Sequence, residues 1–233
     1  MNRLMVLTGK ETSALFSSPI AYAVMAVFLL LLGYSFSITL FVSKNATLVH
    51  VFFQAAMLLV LIVPIITMRQ FSEERRSGTL ELLLTGPAHE IEVVLAKWLA
   101  CMAVITLMTG LTFGYAIVLA IYGDPDWGPV YSGYAGLLLL GGALVSIGLA
   151  LSALTTNQVV AAVVSLGVFG LLWGIDGLAA FATGRTENWI LGLSLLGRFT
   201  PFATGALYLS DLGFFLVVTL LGMFLCVRAL ARR

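Results

Sequence analysis

IAYAVMAVFLLLLGYSFSITLFV, residues 20–42, runs for 23 residues without a charge. At about 1.5 Å per residue a helix of this length reaches about 34 Å, and the hydrocarbon core of a bilayer is about 30 Å thick. Its only hydrogen-bonding side chains are Ser, Thr and Tyr. The stretch therefore reads as a membrane-spanning helix, and the rest of the chain repeats the pattern. Of 233 residues, 61% are hydrophobic and 10% charged, with a mean hydropathy of +1.07. Soluble domains carry about 25% charged residues because water must wet their surface. Here lipid must be the solvent for most of the chain, which leaves one membrane domain, residues 1–233, and no soluble one.

Working outward, the charge-poor runs predict six spans. Span one is 20–42, followed by a short polar link, and span two is 48–68. Pro64 in span two predicts a kink near 60–64, because proline frees a carbonyl of the preceding turn. Residues 69–92 form the one strongly charged segment, and span three follows at 93–121, with Trp98 expected near one interface and Tyr122 near the other. GDPDWGP, 123–129, breaks the helical pattern with two prolines, two glycines and two aspartates. Span four is 131–154, span five 159–181 after the tight turn at 155–158, and span six 211–227. The apolar pieces within 182–210 are too short to cross, and read as short interfacial or re-entrant helices.

Lys and Arg set the orientation. With a cytoplasmic N-terminus, the inside holds Arg3, Lys10, Arg69, Arg75, Arg76, Lys97, Arg228, Arg232 and Arg233. The outside holds Lys44, Arg185 and Arg198. The bias predicts a multi-pass protein of the cell (inner) membrane with both termini in the cytoplasm. The start is too polar for a cleaved signal, so span one is expected to act as the insertion signal. In residues 1–17, Leu4, Leu7, Ala14 and Leu15 lie at helical spacing opposite Arg3, Lys10 and Ser13, as in a helix lying along the inner membrane surface.

Catalytic chemistries fail for want of residues. His50 and His89 are the only histidines, far apart in sequence, and no Cys/His cluster suggests zinc or haem. Cys101 and Cys226 sit inside apolar runs and are expected to be free thiols. No G-x-S-x-G elbow occurs. Gly9–Lys10–Glu11 lacks both the upstream glycine and the following Ser or Thr of a phosphate-cradling loop. No cofactor or metal is expected, and any ATP-driven step must use a motor on another polypeptide. A net charge of +1 gives no basic patch for nucleic acid. Asp176 is the best candidate for a coupling carboxylate in a secondary carrier. It falls about 27 Å along span five, near the outer interface, where a structural or solvated aspartate is the plainer reading. Lys97 is expected near the inner surface, able to snorkel, and is close in sequence to Glu90 and Glu92. Small-residue pairs, Gly110/Gly114, Gly142/Ser146 and Gly170/Gly174, suit close helix packing.

The charged segment carries more information. Span two should continue past the membrane edge as a helix through Arg69, Glu73 and Glu74, and Gly78 should break it. Thr79 can cap a new short helix bearing Leu80, Leu82, Leu83 and Leu84, which Gly86–Pro87 would end. Leucines on such a helix need cover, from lipid headgroups or from a partner protein.

The stretch MRQFSEERRSGTLELLLTGPAHEIEVVLAKWLA, residues 68–100, resembles the loop between the second and third spans of ABC type-2 exporter permeases. Within these it is most similar to the gliding-motility-type permeases and to those of nitrous-oxide-reductase copper-site maturation. KETSALFSSPIAYAVMAVFLLLLGY (10–34) and GRFTPFATGALYLSDLGFFL (197–216) resemble the same proteins, so the likeness covers both ends and the middle. The resemblance implies a non-catalytic six-span permease subunit. It would pair with a second copy or a close relative, with two copies of an ABC ATPase, and with an extracytoplasmic accessory protein in some systems. The Thr79–Leu84 helix would be a cytoplasmic coupling helix seated on the ATPase, with Glu73, Glu74, Gly78, Thr79, Leu80, Glu81, Leu82, Leu83 and Pro87 as the coupling residues. Gly197–Arg198 departs from the more aromatic, histidine-bearing run expected before span six.

Overall fold

A computed structural model describes residues 3–43, 47–79, 89–123, 125–179 and 192–231, and among them every regular element is helical. In order these are α1 (Arg3–Phe16), α2 (Pro19–Ile38, closing in a π-helical turn Thr39–Ser43), α3 (Val49–Ser77), α4 (Glu90–Leu111), α5 (Phe113–Tyr122), α6 (Trp127–Leu154), α7 (Gln158–Ala179), α8 (Leu195–Thr204) and α9 (Leu209–Ala231). Six helical stretches are long and apolar enough to cross a bilayer: Pro19–Phe41, Val49–Ser77, Glu90–Tyr122, Trp127–Leu154, Gln158–Gly177 and Leu209–Ala231. The six-span reading stands, and with it a multi-pass membrane protein.

α6 and α3 form the centre. Of their most apolar windows 72% and 61% is buried, against 17% for α7 and 22% for α9. The peripheral helices turn leucines and valines outward, which costs nothing where the outer solvent is lipid. Small residues let neighbours approach α6. A methyl group added at Gly148 would overlap Thr67 of α3, and one at Gly222 of α9 would overlap Ser146 of α6. Of the three small-residue pairs, only Gly142/Ser146 packs within the chain; Gly110, Gly114, Gly170 and Gly174 have open space beside them.

Trp98 also joins two helices. Its indole Nε1–H donates to the Gly142 carbonyl at 3.1 Å and pins α4 to α6. An indole has one donor, and within a bundle that donor must find a partner. Span three is also interrupted once, at Thr112, whose hydroxyl donates to the Thr109 carbonyl at 2.6 Å and meets the Tyr134 hydroxyl at 3.1 Å. Back-bonding of this kind competes with the helix ladder. α3 runs unbroken through the buried Pro64.

On the side opposite α1, α8 lies across the start of α6. Ser132 donates to the Phe202 carbonyl at 2.7 Å. Gly205 ends α8 at φ +95°, with Pro129 so close that a methyl group would sit 3.0 Å from its ring. Only glycine meets both conditions. α8 is a short helix before span six; residues 180–191 lie outside the described residues.

Candidate functional site

The 29 residues of α3 give about 43 Å of helix, some 13 Å more than the hydrocarbon core. The excess is the polar stretch from Arg69 to Ser77. Gly78, at φ +72°, terminates it in the left-handed conformation, as glycine does at helix C-termini. The Thr79 hydroxyl turns back onto this end, 2.8 Å from the Ser77 hydroxyl and 3.4 Å from the Glu74 carbonyl. It thus serves the end of α3; of the short helix expected from Thr79, Thr79 itself is helical and the rest, from Leu80 on, lies outside the described residues.

Three sets of bonds hold this projecting end. The Ser152 hydroxyl of α6 accepts from the Phe71 and Ser72 amides, each at 3.2 Å, and donates to the Met68 carbonyl at 3.0 Å. That uses its one donor and both lone pairs. Beside it, Arg75 Nη1 donates to the Ala153 carbonyl at 2.7 Å, among the last carbonyls of α6, where a cation is favoured. The third set centres on Lys97, in the second turn of α4. Its Nζ donates to Glu11 Oε2 of α1 at 2.9 Å and to Glu74 Oε1 of α3 at 2.7 Å, with the Phe71 ring 5.2 Å away. Lys97 is 2% exposed.

The snorkelling expectation for Lys97 is therefore overturned. Its partners are Glu11 and Glu74, not Glu90 or Glu92; Glu92 instead accepts from the His89 amide and closes the N-terminus of α4. The reason is burial: at 2% exposure the ammonium is withdrawn from bulk water and is neutralised where it stands by carboxylates of two neighbouring helices. Glu74 Oε2 is buried with no hydrogen-bond partner among the described residues. Arg69 and Glu73 form an exposed two-bond pair, at 2.9 and 3.3 Å, worth about 0.3–0.5 kcal/mol as such pairs go.

Between α1, α2, α3 and α4 lies a cavity of about 300 Å³. Glu11, Arg69, Gln70, Glu73, Glu74 and Lys97 line its polar end, and Ile20, Ile65 and Ile66 are among its apolar walls.

Of the coupling residues expected from sequence, Glu73, Glu74, Gly78 and Thr79 come together at the end of α3. Leu80, Glu81, Leu82, Leu83 and Pro87 lie outside the described residues. Glu11 and Lys97 were missed as members of the same site. The available signal was a lone lysine inside the apolar run VVLAKWLA, which demands a carboxylate from elsewhere.

On the opposite side, Arg198 pairs with Asp211 at 2.7 Å and lies 5.4 Å from the Phe214 ring. Asp176 is half-buried, and its Oδ1 is buried near Gly197 without a hydrogen-bond partner among the described residues. Cys101 and Cys226 are free and buried. No group of three or more His, Cys, Asp or Glu among the described residues could hold a metal.

A family model described as ABC-2 family transporter protein matches residues 54–231, about three quarters of the chain. No curated protein matches it. With six apolar spans and a polar end of α3 clamped among three helices, the chain belongs to the ABC-2 family of transporter membrane proteins.

Proposed function

We propose that the chain is the permease subunit of an ATP-driven transporter, non-catalytic by itself, comprising one permease domain over residues 1–233. It works with two ATPase subunits and with a second copy of itself or a close relative. The α1 side faces the cytoplasm of the cell (inner) membrane, both termini included, as the Lys/Arg bias requires. Glu73, Glu74, Gly78, Thr79, Leu80, Glu81, Leu82, Leu83 and Pro87 form the element that meets the ATPase. The work done is export of a substrate or transmission of ATPase-driven motion to an extracytoplasmic accessory protein. These are the activities that the resemblance to gliding-motility-type and nitrous-oxide-reductase-maturation permeases brings with it.

One observation carries this reading. α3 leaves the membrane as a single helix, and at its exit Ser152, Arg75 and Lys97 bind it to α6, α1 and α4. A helix held in this way behaves as a lever: displacement beyond Gly78 moves the α3–α6 core and is not absorbed in a loose end. Pairing with a second copy is supported by α7, the least covered span. Its Gly167, Gly170, Gly174 and Gly177 recur every three or four residues with nothing among the described residues within 4 Å of an added methyl, a face that lets another helix approach closely. The rival reading is a secondary carrier with Asp176 as coupling carboxylate. The unpartnered Oδ1 speaks for it, and the family membership against it.

The test is biochemical. Purified alone, the chain should hydrolyse no ATP, and co-expressed with its ATPase it should co-purify as a dimer carrying that subunit. Turnover by the isolated chain, free of contaminating ATPase, refutes the proposal.

A further inference from the structure

Span three is two helices end to end, α4 and α5, joined at Thr112, where the backbone stands at φ −70°, ψ −12°. The Thr112 amide donates to the Thr109 carbonyl at 3.2 Å, and the Tyr115 amide to the Thr112 carbonyl at 2.9 Å. Each bond reaches three residues back instead of four. The Thr112 hydroxyl donates to the same Thr109 carbonyl, so both lone pairs of that oxygen are used and neither is left for the Phe113 amide. A tight turn of this kind inside a long helix marks a hinge, and glycines beside it lower the resistance to bending. Gly110 and Gly114 flank the turn, each with open space where a side chain would stand.

The two faces of the joint differ. Thr112, Ala116 and Leu119, about one helical turn apart, are buried against the bundle. At about 100° per residue, Gly110 and Gly114 fall on the opposite face, beside a groove of about 530 Å³ lined by Ala103, Thr106, Leu107, Gly110 and Leu111. Among the described residues, nothing beside either glycine opposes an outward swing of α5. α5 is also lightly held, since of its ten residues only Ala116 and Leu119 are buried. Its polar hold is Tyr115, whose hydroxyl donates to the Leu29 carbonyl of α2 at 3.0 Å. The Tyr115 ring stacks on Phe36, with centroids 4.9 Å apart and planes at 15°. A methyl group at Gly33 would stand 3.2 Å from the Tyr115 hydroxyl, so glycine makes room for this contact. Leu29 lies within α2, and the ladder of that helix still serves its carbonyl when the tyrosine leaves. We propose that α5 is a lateral flap, hinged at Thr112 and latched by Tyr115, that swings away from α2 into the lipid of the leaflet remote from α1. Open, it parts span one from the second half of span three and bares the Phe36 side of α2.

The inference rests on the six-span fold alone, so its failure would leave ATPase coupling untouched. The full-length chain, with Cys101→Ala and Cys226→Ala, carries two spin labels on introduced cysteines in nanodiscs. It is diluted with unlabelled chain so that only distances within one copy are read. One label is at the exposed Leu171 of α7; the other is at Tyr122, beyond the joint, or at Leu107, before it. Electron–electron double resonance should give Leu107 one distance and Tyr122 two, the second belonging to the open flap. Tyr115→Phe keeps the stacked ring and loses one hydrogen bond, and should raise the open-to-closed ratio about fivefold. Gly110→Ala with Gly114→Ala, where there is room for a methyl group, should lower the ratio about fivefold by stiffening the joint. Gel filtration checks that each variant folds; if one does not, the other decides. A single distance at Tyr122 in both the parent and Tyr115→Phe overturns the flap. A second distance of equal weight at Leu107 also overturns it, since span three would then tilt as one piece. A ratio unmoved by folded Tyr115→Phe overturns the latch, and one unmoved by the folded alanine pair overturns the hinge.

Discussion

Replacing Lys97 by methionine tests whether the charged junction is held by its ion pairs or by shape. Methionine keeps much of the lysine stem and its packing on Phe71 but removes the charge that Glu11 and Glu74 share at 2.9 and 2.7 Å. Two carboxylates then face each other at a site where the lysine was 2% exposed. Removing one partner of a buried pair costs about 3–5 kcal/mol, mostly because the remaining charge is left desolvated. At roughly 2–4 °C per kcal/mol for a chain of this length, melting in detergent should fall by about 10 °C. The remedy should come from removing the stranded charges: Lys97→Met with Glu11→Gln and Glu74→Gln should recover most of the loss, because a neutral set has little to desolvate. The assay is thermal unfolding followed by size-exclusion chromatography of each variant. A single Lys97→Met variant melting within 2 °C of the parent, a shift of under about 1 kcal/mol, would refute the claim that this triad holds α1 to α3 and α4. So would a triple variant as unstable as the single one.

Ser152→Ala should cost about 1–3 kcal/mol, since it strips partners from two buried amides and a carbonyl of α3; thermal melting measures it, and no change would mean that α3 satisfies these groups itself. Gly174→Leu, with open space beside it in the single chain, should leave melting of the monomer unchanged while abolishing the dimer seen by cross-linking; a persisting dimer would place the interface elsewhere. With Cys101 and Cys226 replaced, a cysteine at Asp126 should be labelled from outside the cell and one at Ser77 only from inside. Labelling of both from one face would contradict the six-span arrangement.

The spans were legible because a bilayer imposes one strong condition, about 20 apolar residues per crossing, and runs such as 20–42 meet it without ambiguity. The end of α3 was legible for a similar reason: polar residues past Met68 forbid further crossing, and Gly78 is the residue a helix end asks for. Pairing was not legible. Lys97 finds Glu11 and Glu74 at separations of 86 and 23 residues, and helical periodicity carries no information about which distant helix lies opposite. Glu90 and Glu92 are nearer in sequence, yet neither pairs with it. The Trp98 bond to Gly142 was hidden in the same way, since an indole donor does not name its acceptor. The small-residue pairs told of close packing without telling which side. Gly142 faces Trp98 within the chain, whereas Gly170 and Gly174 face outward.

The coupling assignment is reached most directly by a charge placed on the leucines after Gly78. Burial of a leucine is worth roughly 1.5–3 kcal/mol, and an unpaired charge in a protein interface adds several kcal/mol of penalty. If residues 79–84 seat on the ATPase, Leu82→Asp and Leu83→Asp should each release it while the permease still inserts and dimerises. The measurement is co-purification of the two subunits in detergent, with membrane insertion followed in parallel. The account predicts loss of the ATPase from both variants at undiminished permease yield; ATPase recovered in full with Leu82→Asp and Leu83→Asp would contradict it and leave those leucines to the lipid headgroups.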